Sequence, residues 1–169
     1  MTRLGSVVKQ CLDEMGWTDE VRDDEDAGES RMSTPLEVAG QSCRLYVDTD
    51  EGNDSISVFL YPPFRVCEDN HVQACVLVNA INYRTRVAHL EISPGDGAIR
   101  ALVAIDVEGS EPCGLCVNVM LRAVNAILKR WMWALAAVAI AGRAAQDVLD
   151  EYERRSAEEQ AQPTEQAES

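Results

Sequence analysis

The chain has 169 residues, of which 46% are hydrophobic, so it is long enough for one globular domain with a buried core. Its 29 acidic residues outnumber 15 basic ones and give a formal net charge of −14 at pH 7. Nucleic acids and anionic membrane surfaces both bind clusters of Lys and Arg, so we expect neither as a partner, whereas a basic protein surface would fit.

A helix is predicted over residues 1–16, followed by an acidic flexible loop over residues 17–32. The helix is amphipathic, because apolar residues recur three and four positions apart: Leu4, Val7, Val8, Cys11, Leu12 and Met15. The loop segment has few apolar residues among its carboxylates, which is typical of a solvated chain. An alternative role for this segment is to attract a basic partner.

Three strands are predicted next, over residues 35–40, 42–49 and 55–63. In the second strand, apolar residues alternate with polar ones, as in a strand that buries one face. The third strand has apolar residues on both sides, with Phe59 and Tyr61 on one of them. Such a strand is either covered on both faces or lies at a contact surface.

A helix over residues 68–86 and a β-hairpin over residues 87–108 follow. Acidic residues at the start of this helix and arginines at its end suit the helix dipole. The hairpin strands are joined by "PGDG" at residues 94–97, where Pro and Gly favour a tight turn.

The last predicted helix begins at Pro112 and carries a heptad-like apolar stripe that includes Trp131 and Leu135 and continues to Tyr152. An unbroken helix of these 41 residues would be ~60 Å long, which exceeds a domain of this size. We therefore expect the helix to bend or stop near Gly142, or its far end to pack on a second chain. Its most apolar stretch has only twelve residues, and ~20 are needed to cross a bilayer.

Together these segments predict an α+β fold with the element order α-β-β-β-α-β-β-α. The sheet would be antiparallel, with helices packed on it and a long C-terminal helix. The α+β core would span residues 33–152. Residues 153–169 are polar, carry no apolar stripe and are predicted to form a disordered tail.

Six cysteines are present, and the start of the chain has no apolar segment of the signal-peptide type. We therefore expect reduced, mostly buried thiols in a cytoplasmic protein. Cys113 and Cys116 form a CxxC motif at the start of the last helix, and the favoured interpretation is two small residues that let this helix dock on the sheet. The alternatives are a thiol-redox pair, or half of a zinc site completed by Cys67 and His71.

Two stretches resemble a known family: "LVNAIN" at residues 77–82 and "AHLEISPGDGAIRALVAIDVEG" at residues 88–109. They are similar to the YbjN-like family of bacterial proteins, whose fold looks like that of type III secretion chaperones. The resemblance covers about residues 35–140. It implies a compact α+β unit that often forms homodimers and binds protein segments, and it supplies no catalytic residues. Asn79 and Asn82 match most specifically, and an Asn at a helix end can satisfy free backbone groups or contact a ligand.

The resulting hypothesis is a non-enzymatic, chaperone-like assembly protein that acts as a homodimer and binds a protein or peptide client. The alternative is a thiol-redox or zinc-binding protein that uses Cys113 and Cys116. We expect no catalytic residue, cofactor or metal. Trp133, with basic residues just before it, could mark a second contact surface, or the helix could be buried on nearly all sides. The residues expected at an interface are Phe59, Tyr61, Phe64, Trp131, Trp133 and Leu135.

Overall fold

The computed structural model describes residues 1–17, 19–108, 110 and 112–161 of the chain. It has six strands and four α-helices, with a single 3₁₀ turn before the second helix. In chain order the elements are α1 (Arg3–Glu14), β1 (Val21–Asp24), β2 (Glu29–Val38), β3 (Gln41–Asp50), β4 (Ser55–Tyr61), α2 (His71–Arg84), β5 (His89–Ile92), β6 (Ile99–Asp106), α3 (Gly114–Ala139) and α4 (Ala145–Ala161).

The six strands form one sheet in the order β1-β2-β3-β4-β6-β5, and every neighbouring pair is antiparallel. β1 to β4 are joined by turns into a meander, and β5 and β6 form the predicted hairpin. The meander and the hairpin are joined by the pairing of β4 with β6, which brings together strands that α2 and β5 separate in the chain. The predicted α+β class with an antiparallel sheet is confirmed.

One face of the sheet is buried and the other is not. Along β3 and β4, side chains alternate between fully buried and half-buried or exposed, as the two-residue period of a strand requires. The buried residues pack with the apolar sides of all four helices in one core. Its largest completely buried side chains are Leu4, Leu12, Met32, Leu45, Ile56, Leu60, Leu77, Ile81, Leu90, Ile99, Leu128 and Leu135.

The acidic segment predicted as a loop over residues 17–32 instead contributes strands β1 and β2. β2 pairs with β3 along all ten of its residues, and Ser30, Met32 and Thr34 point into the core. β1 pairs only with β2 and its side chains are mostly exposed. An edge strand of this kind can be acidic because water solvates its charges, and such charges also block pairing with other strands.

The expected interruption near Gly142 is confirmed. α3 ends at Ala139, Gly142 adopts a left-handed backbone with φ of +67°, and α4 starts three residues later. α4 then packs back onto α3, where the rings of Trp131 and Tyr152 stack with centroids 4.0 Å apart. The segment that would be ~60 Å long as one helix is thus divided into α3 and α4, which pack against each other.

α4 reaches Ala161, so the first part of the segment predicted as a disordered tail is helical. Glu151 forms ion pairs with Arg143 at 2.9 Å and with Arg155 one turn later, and such pairs support an exposed helix. Residues 162–169 lie outside the described part of the chain. No helix within the described ranges is long and apolar enough to cross a membrane.

Asn82 joins the end of α2 to β5. Its amide nitrogen donates to the carbonyl of Leu90 at 2.9 Å, and its amide oxygen accepts from the Leu90 N–H at 2.8 Å. This matches the structural role expected for an Asn near a helix end, because both backbone groups of an edge-strand residue are satisfied. Asn79 lies one turn earlier, and its side chain is exposed.

Candidate functional site

Aromatic side chains meet on the uncovered face of the sheet. Tyr46 on β3 lies directly opposite Phe59 on β4, and Phe59 lies opposite Leu102 on β6. Tyr61 lies two residues beyond Phe59 on the same face. All four side chains are half-buried, and we call them the aromatic face.

The rings of the aromatic face support one another. Tyr46 and Tyr61 form an edge-to-face pair, with centroids 5.6 Å apart and planes at 86°. This is a favoured arrangement for two rings, because the positive edge of one meets the negative face of the other. Their positions are therefore fixed by packing within the sheet.

Two arginines extend over these rings. The guanidinium of Arg100 lies 4.6 Å from the centroid of Phe59, within cation–π distance, and its Nε donates to Glu91 at 2.7 Å. Arg31 lies 5.8 Å from the ring of Tyr46 and donates to both carboxylate oxygens of Asp48, at 2.8 and 2.5 Å. The hydrogen bond to Asp48 raises the pKa of Arg31 above its ordinary value.

A groove of about 1240 Å³ runs along this face to the edge of the sheet at β5. It is lined by four arginines and three carboxylates: Arg31, Arg44, Arg65, Arg100, Asp48, Glu91 and Asp96. Within the described ranges, Arg44 has no carboxylate partner, and it lies opposite Tyr61 on the neighbouring strand. The groove is therefore locally basic on a strongly acidic chain.

The structure brings together three of the six side chains expected at an interface. Phe59 and Tyr61 belong to the aromatic face, and Phe64 lines the same groove while it also packs against the core. Trp131 and Leu135 lie inside the core, each 2% exposed. Trp133 is half-buried, with the guanidinium of Arg155 on α4 4.5 Å from its ring centroid.

Tyr46, Leu102 and the arginines of the groove were not among the sequence candidates. Tyr46 could have been found, because it alternates with the buried Leu45 and Val47 and so must point away from the core. Its contact with Phe59 could not have been found without the strand register.

A second apolar surface lies on α2. Val72, Val76, Asn79 and Tyr83 share one stripe of this helix at spacings of four, three and four, and all are exposed. The opposite side of α2 is buried in the core. A helix that is apolar on both its buried and its exposed side is typical of a contact with another surface. We call these four residues the α2 stripe.

The cysteines differ from the expectation of mostly buried thiols. All six are free, and Cys11 and Cys43 are buried, whereas the other four are exposed: Cys67, Cys75, Cys113 and Cys116. Cys67 and Cys75 flank the exposed start of α2, and the CxxC pair lies before the first buried residue of α3, Val117. Within the described ranges, no three side chains of the His, Cys, Asp and Glu types are grouped to hold a metal.

The thiols of Cys113 and Cys116 lie close together at the start of α3, with their Sγ atoms 3.8 Å apart. Cys113 is the N-cap residue and has an extended backbone, with φ of −115° and ψ of 162°. Hydrogen bonds from the backbone N–H and thiol of Cys116, followed by that from the Leu115 N–H, lower the pKa of Cys113 below its ordinary value.

Comparison with solved structures gives the same fold. A chain of the HopA1-SchA chaperone-effector complex is 8% identical with a TM-score of 0.54, covering 76% of this chain and 92% of that one. A chain of the ExsC-ExsE complex is 12% identical with a TM-score of 0.53, and the match covers 83% of this chain and 99% of that one. YbjN from E. coli, described as "a putative transcription regulator", is 12% identical with a TM-score of 0.50. The match covers 79% of this chain and 89% of that one.

Sequence comparison identifies the family directly. No curated protein matches the sequence. The family YbjN, described as "Putative bacterial sensory transduction regulator", matches over residues 5–131. This range contains most of α1, all six strands, α2 and most of α3, so the resemblance predicted from the sequence is confirmed. The chain belongs to the YbjN family.

Proposed function

We propose that this protein is a chaperone-like, non-enzymatic protein of the cytoplasm that works as a homodimer and binds a segment of a client protein. The aromatic face carries the proposal. The folds of the HopA1-SchA and ExsC-ExsE complexes support it, since the first of these is a chaperone bound to an effector.

The aromatic face has the chemistry of a protein-binding surface. Tyrosine, phenylalanine and arginine are enriched at interfaces, where rings supply contact area and guanidinium groups supply directed hydrogen bonds. Here three rings lie between Arg31 and Arg100, and Arg44 adds a guanidinium that no carboxylate in the described ranges binds. A client segment with apolar side chains near carboxylates would complement this surface.

The client proposal is tested by replacing Phe59 with glutamate. A negative charge at the centre of the aromatic face should repel an acidic client and remove the ring contact, so proteins that co-purify with the wild type from its native cells should be lost. The control is Ile140→Glu, which places the same charge at a residue that is 52% exposed in the turn after α3. Clients that still bind Phe59→Glu, or that Ile140→Glu also loses, would contradict the assignment to this face.

The α2 stripe supports the homodimer. Its three apolar residues, Val72, Val76 and Tyr83, do not line the groove, so a second copy can contact them without covering the aromatic face, while Asn79 borders both surfaces. Two copies of one helix face can meet about a twofold axis, because each supplies the surface that the other needs.

For the dimer, sedimentation equilibrium of the wild type should give twice the chain mass of 18.6 kDa at micromolar concentration. Val76→Asp should give a monomer, because it buries an unpaired carboxylate in the contact. The control is Val119→Asp on α3, since Val76 is 49% exposed and Val119 is 50% exposed. A wild-type monomer, or a dimer that only Val119→Asp disrupts, would contradict a contact through α2.

A further inference from the structure

The CxxC pair has the geometry of a dithiol that can close. A disulfide needs its sulfur atoms ~2.05 Å apart, so the two Sγ atoms at 3.8 Å must approach by only ~1.8 Å. Both side chains are exposed, and Cys113 is the N-cap residue, outside the regular helix. Rotation of the two side chains can therefore form the bond without displacing buried residues.

The surroundings favour the thiolate form of Cys113. Its sulfur accepts from N–H groups in the first turn of α3, where the helix dipole also favours a negative charge. Cys116 is within one turn and is positioned to attack second. Together these features satisfy the two requirements of a resolving pair, which are one stabilised thiolate and one neighbouring thiol.

The two buried thiols differ from this pair. Burial raises the pKa of Cys11 and of Cys43, so both stay protonated. Cys11 donates its proton to the carbonyl of Gly114 at 3.1 Å and so attaches α1 to the first turn of α3. It is the third thiol near the pair but lacks both the exposure and the charge needed for reaction.

We propose that Cys113 and Cys116 form a reversible disulfide that hydrogen peroxide or a small organic hydroperoxide oxidises. The Cys113 thiolate attacks one peroxide oxygen, the O–O bond breaks, and Cys113 becomes a sulfenic acid while water or an alcohol leaves. The Cys116 thiol, losing its proton, attacks that sulfur and releases a second water. Two thiols are oxidised to one disulfide and the peroxide is reduced. A low-molecular-weight thiol reverses the reaction by exchange.

Trypsin gives a direct measurement of this reaction. Cleavage after Arg100 and Arg122 releases residues 101–122, which contain Cys113 and Cys116 and no other cysteine. Treatment of the folded protein with one equivalent of hydrogen peroxide should lower the mass of this peptide by two hydrogen atoms, and dithiothreitol should restore it. Under the same conditions Cys67 and Cys75 should remain free, since each lacks a neighbouring thiol to form the bond.

The pH dependence of the alkylation rate distinguishes a reactive thiol pair from thiols that are only exposed. We expect iodoacetamide to modify Cys113 at least about tenfold faster than Cys75 at pH 7, and the midpoint of the Cys113 rate profile should lie below the ordinary pKa of a thiol. Cys116→Ser should keep this fast alkylation and lose the disulfide, Cys113→Ser should lose both, and Cys75→Ser should change neither. A peptide 101–122 that stays reduced, or equal alkylation rates for Cys113 and Cys75 at pH 7, would overturn the proposal without affecting client or dimer binding.

Discussion

Replacing Trp131 with alanine is expected to lower the free energy of unfolding by about 4 kcal/mol. The indole is 2% exposed and stacks on Tyr152, so its removal leaves a cavity between α3 and α4 that the two rigid helices can close only in part. The loss should be measured by urea denaturation at one fixed protein concentration, because the proposed dimer would make stability depend on concentration.

The control for this substitution is Trp133→Ala, two residues away on the same helix. Trp133 is half-buried and its ring contacts the guanidinium of Arg155, so we expect a loss of at most about 1.5 kcal/mol. Both variants remove the same side chain from α3, and the two indoles differ in burial and in their partner on α4. Equal losses would contradict the packing of α4 over Trp131.

Replacing Gly97 with alanine is expected to lower the free energy of unfolding by about 3 kcal/mol. Gly97 has φ of +67°, where a side chain costs ~1 kcal/mol. A Cβ there would lie 2.6 Å from the carbonyl oxygen of Val66, and relieving this overlap costs about 1–3 kcal/mol more. That carbonyl belongs to the backbone, and the Val66 N–H already donates to the Gly97 carbonyl at 2.9 Å, so neither segment can move away freely.

Gly95→Ala is the matched control, since it lies in the same turn between β5 and β6. Gly95 does not have a positive φ, and a Cβ there would meet nothing within 4 Å. The free energy of unfolding of the Gly95→Ala variant should stay within about 0.5 kcal/mol of the wild-type value. Thermal denaturation followed by circular dichroism compares the two variants, and a similar loss in both would show that the hairpin turn, and not the contact with Val66, is responsible.

Periodic patterns in the sequence predicted most of the fold. The spacing of Leu4 to Leu12, the turn at residues 94–97 and the break near Gly142 each depend on neighbours in the chain, and each is present in the structure. The strands at residues 21–24 and 29–34 were missed, because they form through the pairing of β1 with β2 and of β2 with β3, while the local composition favours a solvated chain. Local pattern also gives no strand order, so the neighbours of β4 could not be assigned.

The candidate site was predicted only in part for the same reason. Phe59 and Tyr61 were identified because apolar residues on both sides of one strand are visible in the sequence. Tyr46 and Arg100 contact Phe59 because of how the strands are aligned, and this alignment cannot be read from the sequence. Trp131 shows the reverse case: an aromatic residue typical of interfaces is buried here because α4 folds back over it, which a single apolar stripe does not reveal.

The pairing of β4 with β6 has a consequence for how the protein folds. The meander and the hairpin can each form from neighbouring segments, but joining them requires closure of the long connection through α2, and such non-local contacts form slowly. Phe59 lies on one side of that junction, and Leu102 and Arg100 lie on the other. The aromatic face is therefore complete only after these strands have met, so on a newly made or partly unfolded chain the proposed client surface would lack Leu102 and the guanidinium of Arg100.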